Sequence, residues 1–82
     1  MTGPSRQPDV EVFTQHHCAS CRQVENYLEK RGVAFTTRDV VADKEALDEI
    51  FRRGFMTTPV IRIDNAWVGG FRRDEIERLL PT

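Results

Sequence analysis

The sequence lacks any apolar run close to the roughly 20 residues that a membrane-spanning helix needs. It also lacks an excess of charge, because 12 basic and 13 acidic side chains leave a formal net charge of −1. This balance gives no electrostatic attraction to nucleic acid or to an anionic membrane, so we expect the protein to bind neither. The length of 82 residues suits one hydrophobic core and is too short for two.

Cysteine is scarce as well, with two residues in the chain, and the N-terminal residues lack the apolar core of a secretory signal. Residues 1–8 contain two prolines and a glycine, which predicts a flexible tail before a single domain at residues 9–82. We expect a cytoplasmic monomer. In that reducing compartment a pair of cysteines is more often catalytic or metal-binding than a structural disulfide.

The pattern of apolar residues predicts seven elements in the order β-α-β-α-β-β-α. Short strands are predicted at residues 9–14, 34–41, 59–63 and 66–68, with Asp64-Asn65 as a tight turn between the last two. Helices are predicted from Cys18 to residue 30 or 31, from the N-cap Asp43 to Gly54, and from near Asp74 to Pro81.

Each predicted helix carries apolar side chains on one face, which we expect to pack against a sheet. They are Val24, Tyr27 and Leu28 in the first helix, Leu47, Ile50 and Phe51 in the second, and Ile76, Leu79 and Leu80 in the third. A crossover through a helix makes the first two strands parallel, whereas a two-residue turn makes the last two antiparallel. One mixed four-stranded sheet with helices on both faces satisfies both requirements.

The two cysteines lie three positions apart, where the first strand gives way to the first helix. Backbone N–H groups at a helix N-terminus have no intrahelical partners and favour negative charge, so Cys18 should ionise readily. Cys21 lies one turn further along and should be shielded by the helix. We expect Cys18 to attack a substrate disulfide and Cys21 to resolve the mixed disulfide. His17 is a candidate for stabilising the Cys18 thiolate.

Two other interpretations of the cysteine pair stay open. One is a pair of ordinary buried cysteines, and the other is a zinc site that also uses His16 and His17. Structural zinc takes four ligands, whereas one Cys-x-x-Cys motif supplies two. Both histidines are therefore better interpreted as turn residues, and we predict no metal site.

The cysteine pair after the first strand and the order of elements together resemble the thioredoxin superfamily over residues 9–80. The resemblance implies a thioredoxin-like α/β fold of the glutaredoxin type. It also implies that Pro59, in Thr57-Thr58-Pro59, follows a cis peptide bond beside the cysteines. In this superfamily the backbone of the preceding residue, here Thr58, pairs with an extended substrate segment like an added strand.

The segment from Trp67 to Phe71 resembles glutaredoxins, in which a double glycine lets the backbone of a ligand approach closely. Gly69, Gly70 and Phe71 are therefore candidates for one wall of the substrate groove. Three glutaredoxin features differ in this sequence. The basic residue three before the first cysteine is Gln15, the Pro-Tyr between the cysteines is Ala19-Ser20, and the acid or hydroxyl three after the second glycine is Arg73.

A closer resemblance is to the glutaredoxin-like redoxins that supply electrons to ribonucleotide reductase, the NrdH-redoxin type. Their Gly-Phe-Arg-Pro-Asp motif is similar to residues 70–74, with Arg73 in place of the proline and one extra residue after Trp67. The segment Arg52-Arg53-Gly54-Phe55 also resembles that family. The resemblance implies that thioredoxin reductase reduces the protein.

We therefore predict a small dithiol–disulfide oxidoreductase that needs no cofactor beyond its Cys18–Cys21 pair. The expected substrates are protein or small-molecule disulfides, ribonucleotide reductase among them, and the expected donor is thioredoxin reductase. We expect a protein donor to bury apolar surface against Phe55, Trp67 and Phe71. One alternative is a glutaredoxin reduced by glutathione. Another is a non-catalytic module in which Cys18 holds an iron–sulfur cluster with glutathione or a second subunit.

Overall fold

The computed structural model describes residues 8–80. The expected tail lies outside these residues except for Pro8, and so does Pro81. The seven elements follow the predicted order: β1 (Val10–Thr14), α1 (Ala19–Lys30), β2 (Thr36–Asp39), α2 (Lys44–Arg52), β3 (Val60–Ile63), β4 (Ala66–Gly69) and α3 (Arg73–Leu79). In the part of the chain described, each helix is too short or too polar to cross a membrane.

A mixed four-stranded sheet organises these elements, with the strands in the order β2-β1-β3-β4. Strand β1 is parallel to β2, which it reaches through the α1 crossover, and antiparallel to β3. Strands β3 and β4 form an antiparallel hairpin. Asp64 closes its turn at a φ of 53°, a left-handed conformation that aspartate tolerates better than most residues. The predicted sheet and its connections are confirmed.

Strand β2 ends at Asp39, earlier than predicted, because β1, its one partner strand within residues 8–80, ends at Thr14. The parallel ladder pairs Thr14 with Asp39 at its last position. Beyond it the chain turns, and the Asp39 carboxylate accepts a hydrogen bond from the Val41 N–H at 2.8 Å. Val40 reaches the core, whereas Val41 is 67% exposed. The apolar residues Val40 and Val41, which had suggested a longer strand, therefore lie beyond the last paired position of β1 and β2.

Two hydrophobic clusters cover the two faces of the sheet. One lies under α1 and α3 and comprises Val10, Val12, Val24, Leu28, Ile61, Ile63, Val68, Ile76 and Leu80. The other lies under α2 and comprises Phe13, Val40, Ala46, Ile50 and Val60. Successive residues of a strand point to opposite faces, which is why Val12 and Phe13 belong to different clusters. Helices therefore cover both faces, as predicted.

Helix α2 begins at the predicted cap but buries a narrower face than predicted. Its buried residues are Ala46 and Ile50, and Leu47 is half-buried. Phe51 was expected on this face, and that prediction is wrong because its side chain is 51% exposed. A helix of nine residues rests on the sheet along one stripe, and Phe51, about 100° around from Ile50, falls at its rim.

Asp43 caps α2 through one carboxylate oxygen. This oxygen accepts hydrogen bonds from the backbone N–H of Glu45 at 3.0 Å and of Ala46 at 3.2 Å. The bond from Ala46, joined by the nearby Arg38 guanidinium, lowers the pKa of the Asp43 carboxyl. Because the folded pKa lies below the unfolded value of about 3.9, the stabilisation is present above that pH and is lost as pH falls through the folded pKa.

We predict that Asp43→Ala lowers the melting temperature at pH 7. The difference from wild type should shrink as pH falls from about 4 through the lower folded pKa of the Asp43 carboxyl. Asp43→Asn is the matched control, because it keeps an acceptor oxygen and loses the charge. Its melting temperature should lie between the other two at pH 7. Equal melting temperatures for wild type and Asp43→Ala at pH 7 would contradict the capping role.

Candidate active site

The two cysteines lie at the start of α1. Cys18 is the N-cap residue, with extended backbone at φ −115° and ψ 100°, and Cys21 lies in the first turn. Their Cα atoms are 5.3 Å apart, and a disulfide joins them. This separation falls within the usual range for bridged cysteines. The geometry of the first helical turn therefore allows the disulfide to form without movement of the backbone.

The environments of the two sulfurs are unequal, as predicted. Cys21 is 1% exposed and belongs to the buried stripe of α1, whereas Cys18 is half-buried at the rim. The Cys21 N–H donates a hydrogen bond to Cys18 Sγ at 3.2 Å. The Cys21 N–H is one of the N–H groups in the first turn of α1 that have no intrahelical acceptor. Such groups stabilise a sulfur that carries negative charge.

The loop before β3 also contacts Cys18 Sγ. The Thr58–Pro59 peptide bond is cis, as the resemblance implied, and Pro59 is buried. Thr58 Oγ1 donates a hydrogen bond to Cys18 Sγ at 3.6 Å. The Gly70 N–H binds the Pro59 carbonyl at 2.8 Å, which ties this loop to the end of β4. Cys18, Thr58, Pro59 and Gly70 therefore lie together.

Gly69 faces a protein side chain. A Cβ atom at this position would lie 2.8 and 2.9 Å from two ring carbons of Phe55, closer than packed atoms approach. The glycine therefore makes room for the Phe55 ring, where the resemblance had suggested room for the backbone of a ligand. Gly70 is needed for a different reason, since its φ of 82° lies in the left-handed region that favours glycine.

The aromatic residues expected to form one apolar surface divide into two groups. Trp67 packs near Phe55 and Phe13, with ring centroids 6.4 and 5.5 Å away, in the cluster under α2. Phe71 instead packs 5.7 Å from Tyr27 in the cluster under α1 and α3. The structure therefore brings Phe55 and Trp67 together and places Phe71 apart from them.

The two histidines occupy the turn before Cys18, as predicted. His17 is exposed and has a φ of 58°. His16 Nε2 lies 3.5 Å from a carboxylate oxygen of Asp39. Within residues 8–80, no hydrogen bond or ion pair joins His17 to Cys18. No group of three or more histidine, cysteine or acidic side chains in that range could hold a metal ion.

Sequence reasoning missed an open pocket of about 580 Å³ beside Cys18. It is lined by residues 14–19 together with Arg22 and Glu25. The Arg22 N–H bonds to the Cys18 carbonyl, which places the two residues one above the other on the same side of α1. The four-residue spacing from Cys18 to Arg22 was visible in the sequence, but the shape of the surrounding turn was not.

The family model for glutaredoxin matches residues 10–68 of this sequence. The chain belongs to the glutaredoxin family. It is 32% identical over 73 residues to the glutaredoxin-like protein NrdH of Salmonella typhimurium, a match that covers 89% of this chain and 90% of the relative. Members of this family are thiol–disulfide oxidoreductases, and in this chain a disulfide joins Cys18 to Cys21.

Solved structures agree with this placement in the glutaredoxin family. The NrdH-redoxin of Escherichia coli, described as having a thioredoxin-like activity profile, matches with a TM-score of 0.83 and 30% identity, over 90% of this chain and 97% of that one. The glutaredoxin of Brucella melitensis matches with a TM-score of 0.72 and 31% identity, over 95% and 94%.

We predict that Gly69→Ala lowers the free energy of unfolding by about 1 kcal/mol, the lower end of the range for overpacked sites, because the added methyl group must displace the half-buried Phe55 ring. Chemical denaturation would measure the change. Phe55→Leu is the matched background, because it removes the ring that the methyl group would meet. Gly69→Ala should cost less in that background, and an equal cost in both would show that the Phe55 contact is not the cause.

Proposed function

We propose that Cys18 is the nucleophile and Cys21 the resolving thiol of a dithiol electron carrier that reduces protein disulfides. The Cys18 thiolate attacks one sulfur of a substrate disulfide and forms a mixed disulfide, while the other substrate sulfur leaves as a thiolate and takes up a proton. Cys21 then loses its proton and attacks Cys18 Sγ, which releases the second substrate thiol. Two electrons pass to the substrate, and the Cys18–Cys21 disulfide remains.

The observation that carries this assignment is the difference in access between the two sulfurs. Cys18 is half-buried at the rim and accepts hydrogen bonds from the Cys21 N–H and the Thr58 hydroxyl. These donors would stabilise a thiolate at Cys18. Cys21 is 1% exposed, so a substrate disulfide has no path to its sulfur. Its position, one turn from Cys18, suits attack on Cys18 alone.

Thr58 supports the proposal that the substrate is an extended protein segment. Within residues 8–80, its backbone N–H and C=O form no hydrogen bonds. Both groups lie beside the reacting sulfur, since the Thr58 hydroxyl contacts Cys18 Sγ. An incoming segment that pairs with them would lie along the active site as an added strand, with its disulfide over Cys18.

The proposed reductant is thioredoxin reductase, and ribonucleotide reductase is the proposed physiological substrate. The thioredoxin-like activity profile described for the NrdH-redoxin of Escherichia coli supports thioredoxin reductase as the reductant. The chain also has few features that would hold glutathione. Gln15 offers no charge for a carboxylate, and the Arg73 guanidinium lies 5.5 Å from the Tyr27 ring centroid in a cation–π contact. A cytoplasmic location is part of the same proposal, because the dithiol must be kept reduced.

We predict that Cys18→Ser abolishes disulfide reduction, since no accessible thiolate remains. Cys21→Ser should still attack substrate but should accumulate the mixed disulfide, because nothing displaces the bound substrate thiol. Intact-mass spectrometry after mixing with a disulfide peptide would detect the adduct. An adduct on Cys18→Ser, with none on Cys21→Ser, would reverse the two roles.

We predict faster NADPH consumption with thioredoxin reductase than with glutathione and glutathione reductase, measured against the same small disulfide. The comparison tests the donor alone, because the protein, the substrate and the final reductant are common to both assays. Reactions without the protein give the background rate of each system. Faster turnover with glutathione would make this protein a glutathione-dependent glutaredoxin in spite of Gln15.

A further inference from the structure

We propose that the pocket beside Cys18 binds an acidic side chain that flanks the reacting cysteine of a protein substrate, with Arg22 as the residue that recognises it. This inference rests on the proposed function and adds a substrate preference to it. The pocket lies outside the loops that hold Thr58, Pro59 and Gly70, because its lining comes only from residues 14–19 and the positions Arg22 and Glu25. It would therefore bind a part of the substrate that the strand-like pairing at Thr58 does not reach.

Arg22 is the cation that the pocket offers. Its side chain is exposed and forms no ion pair or hydrogen bond within residues 8–80. Three arginines elsewhere in residues 8–80 are engaged: Arg31 pairs with Glu77, Arg53 lies over the Trp67 ring, and Arg73 lies over the Tyr27 ring. Arg22 is thus free to pair with a carboxylate from another molecule, and a guanidinium suits that ligand because it can donate two parallel hydrogen bonds.

The spacing between Cys18 and Arg22 fits a residue adjacent to the substrate cysteine. Four residues of helix advance about 6 Å along the axis, and one to two residues of extended chain cover about 3–7 Å. A carboxylate one or two positions from the substrate cysteine would therefore reach Arg22 while that cysteine lies over Cys18 Sγ. A carboxylate much further along the segment would pass beyond the pocket.

The other charged groups around the pocket limit where the acidic side chain can bind. His16 Nε2 lies 3.5 Å from a carboxylate oxygen of Asp39, so this ring nitrogen already has a partner within the protein. His17 is exposed, has no ion-pair partner within residues 8–80 and can donate a hydrogen bond near Cys18. Glu25 lies one turn beyond Arg22 and repels a carboxylate at that end. The Cys18 thiolate also repels a carboxylate, but Cys18 Sγ carries no charge once the mixed disulfide has formed. The favourable position for an acid is therefore on the Cys18 side of Arg22, away from Glu25.

The test is the rate constant for disulfide exchange between the pre-reduced protein and three peptides of equal length. Each peptide contains one disulfide whose cysteines are flanked, one and two positions away, by Glu, Gln or Lys. We expect wild type to react about two- to fivefold faster with the Glu peptide than with the Lys peptide, the range expected for one exposed ion pair. The ratio should fall as salt shortens the Debye length from about 10 Å at 0.1 M to about 3 Å at 1 M.

Substitutions at two positions separate recognition from other effects of charge. Arg22→Gln should lower the Glu-to-Lys ratio to one or below, because the negative charges of Glu25 and Cys18 remain. Arg22→Glu should lower the ratio further, and Arg22→Lys should retain most of the wild-type ratio. Glu25→Gln removes the opposing charge and should raise the ratio. A change in the reactivity of Cys18 itself would alter the rates with all three peptides equally and would leave the ratio unchanged.

Two negative results have different meanings. An equal rate with the three peptides in wild type, or a ratio unchanged by Arg22→Gln, would overturn the recognition role of Arg22 and leave the proposed oxidoreductase function intact. An uncharged small disulfide tests that function separately. If the reduced protein failed to react with it and with every peptide, the proposed function would fail, and the role of Arg22 would fail with it.

Discussion

The burial of one stripe of α1 against the sheet is the constraint on which the active site depends. Cys21, Val24 and Leu28 form this stripe, and each is at most 1% exposed. A fully buried leucine side chain contributes about 1.5–3 kcal/mol, so rotating the helix to expose the stripe would cost several times that amount. The same rotation would be needed to bring Cys21 to the surface. Packing of the core therefore decides which cysteine a substrate can reach.

The loop before β3 forms the other side of the active site, and the contacts that hold this loop take no part in the reaction. The Phe55 ring fits against Gly69, and the Gly70 N–H binds the Pro59 carbonyl. These contacts fix the loop before β3 between α2 and the end of β4. Thr58 is thereby held where its hydroxyl contacts Cys18 Sγ. Of the two glycines, Gly69 is needed for packing against Phe55, and Gly70 is needed for its left-handed backbone conformation.

Arginine has several roles on this small surface. Arg38 bridges β2 and α2, where the bond to Glu49 contributes most to raising its pKa. Burial is the largest single influence on the pKa of Arg62 and lowers it, but the combined effect of Asp9 and Glu11, which the guanidinium bonds, raises the pKa overall. Arg53 and Arg73 lie over aromatic rings. The Arg22 guanidinium beside Cys18 forms no ion pair or hydrogen bond within residues 8–80, so it is available to bind another molecule.

The sequence alone determined the order of elements, the mixed sheet and the position of Cys18 at a helix N-terminus. Local rules govern each of these: apolar periodicity sets the elements, capping residues such as Asp43 set their starts, and connection length sets strand direction. Only the tertiary structure decided that Phe51 lies at the rim, that Phe71 packs apart from Trp67, and that Gly69 faces Phe55. Those outcomes depend on contacts between segments that are far apart in the sequence. Apolar periodicity and local motifs do not determine how close such segments lie in the folded protein.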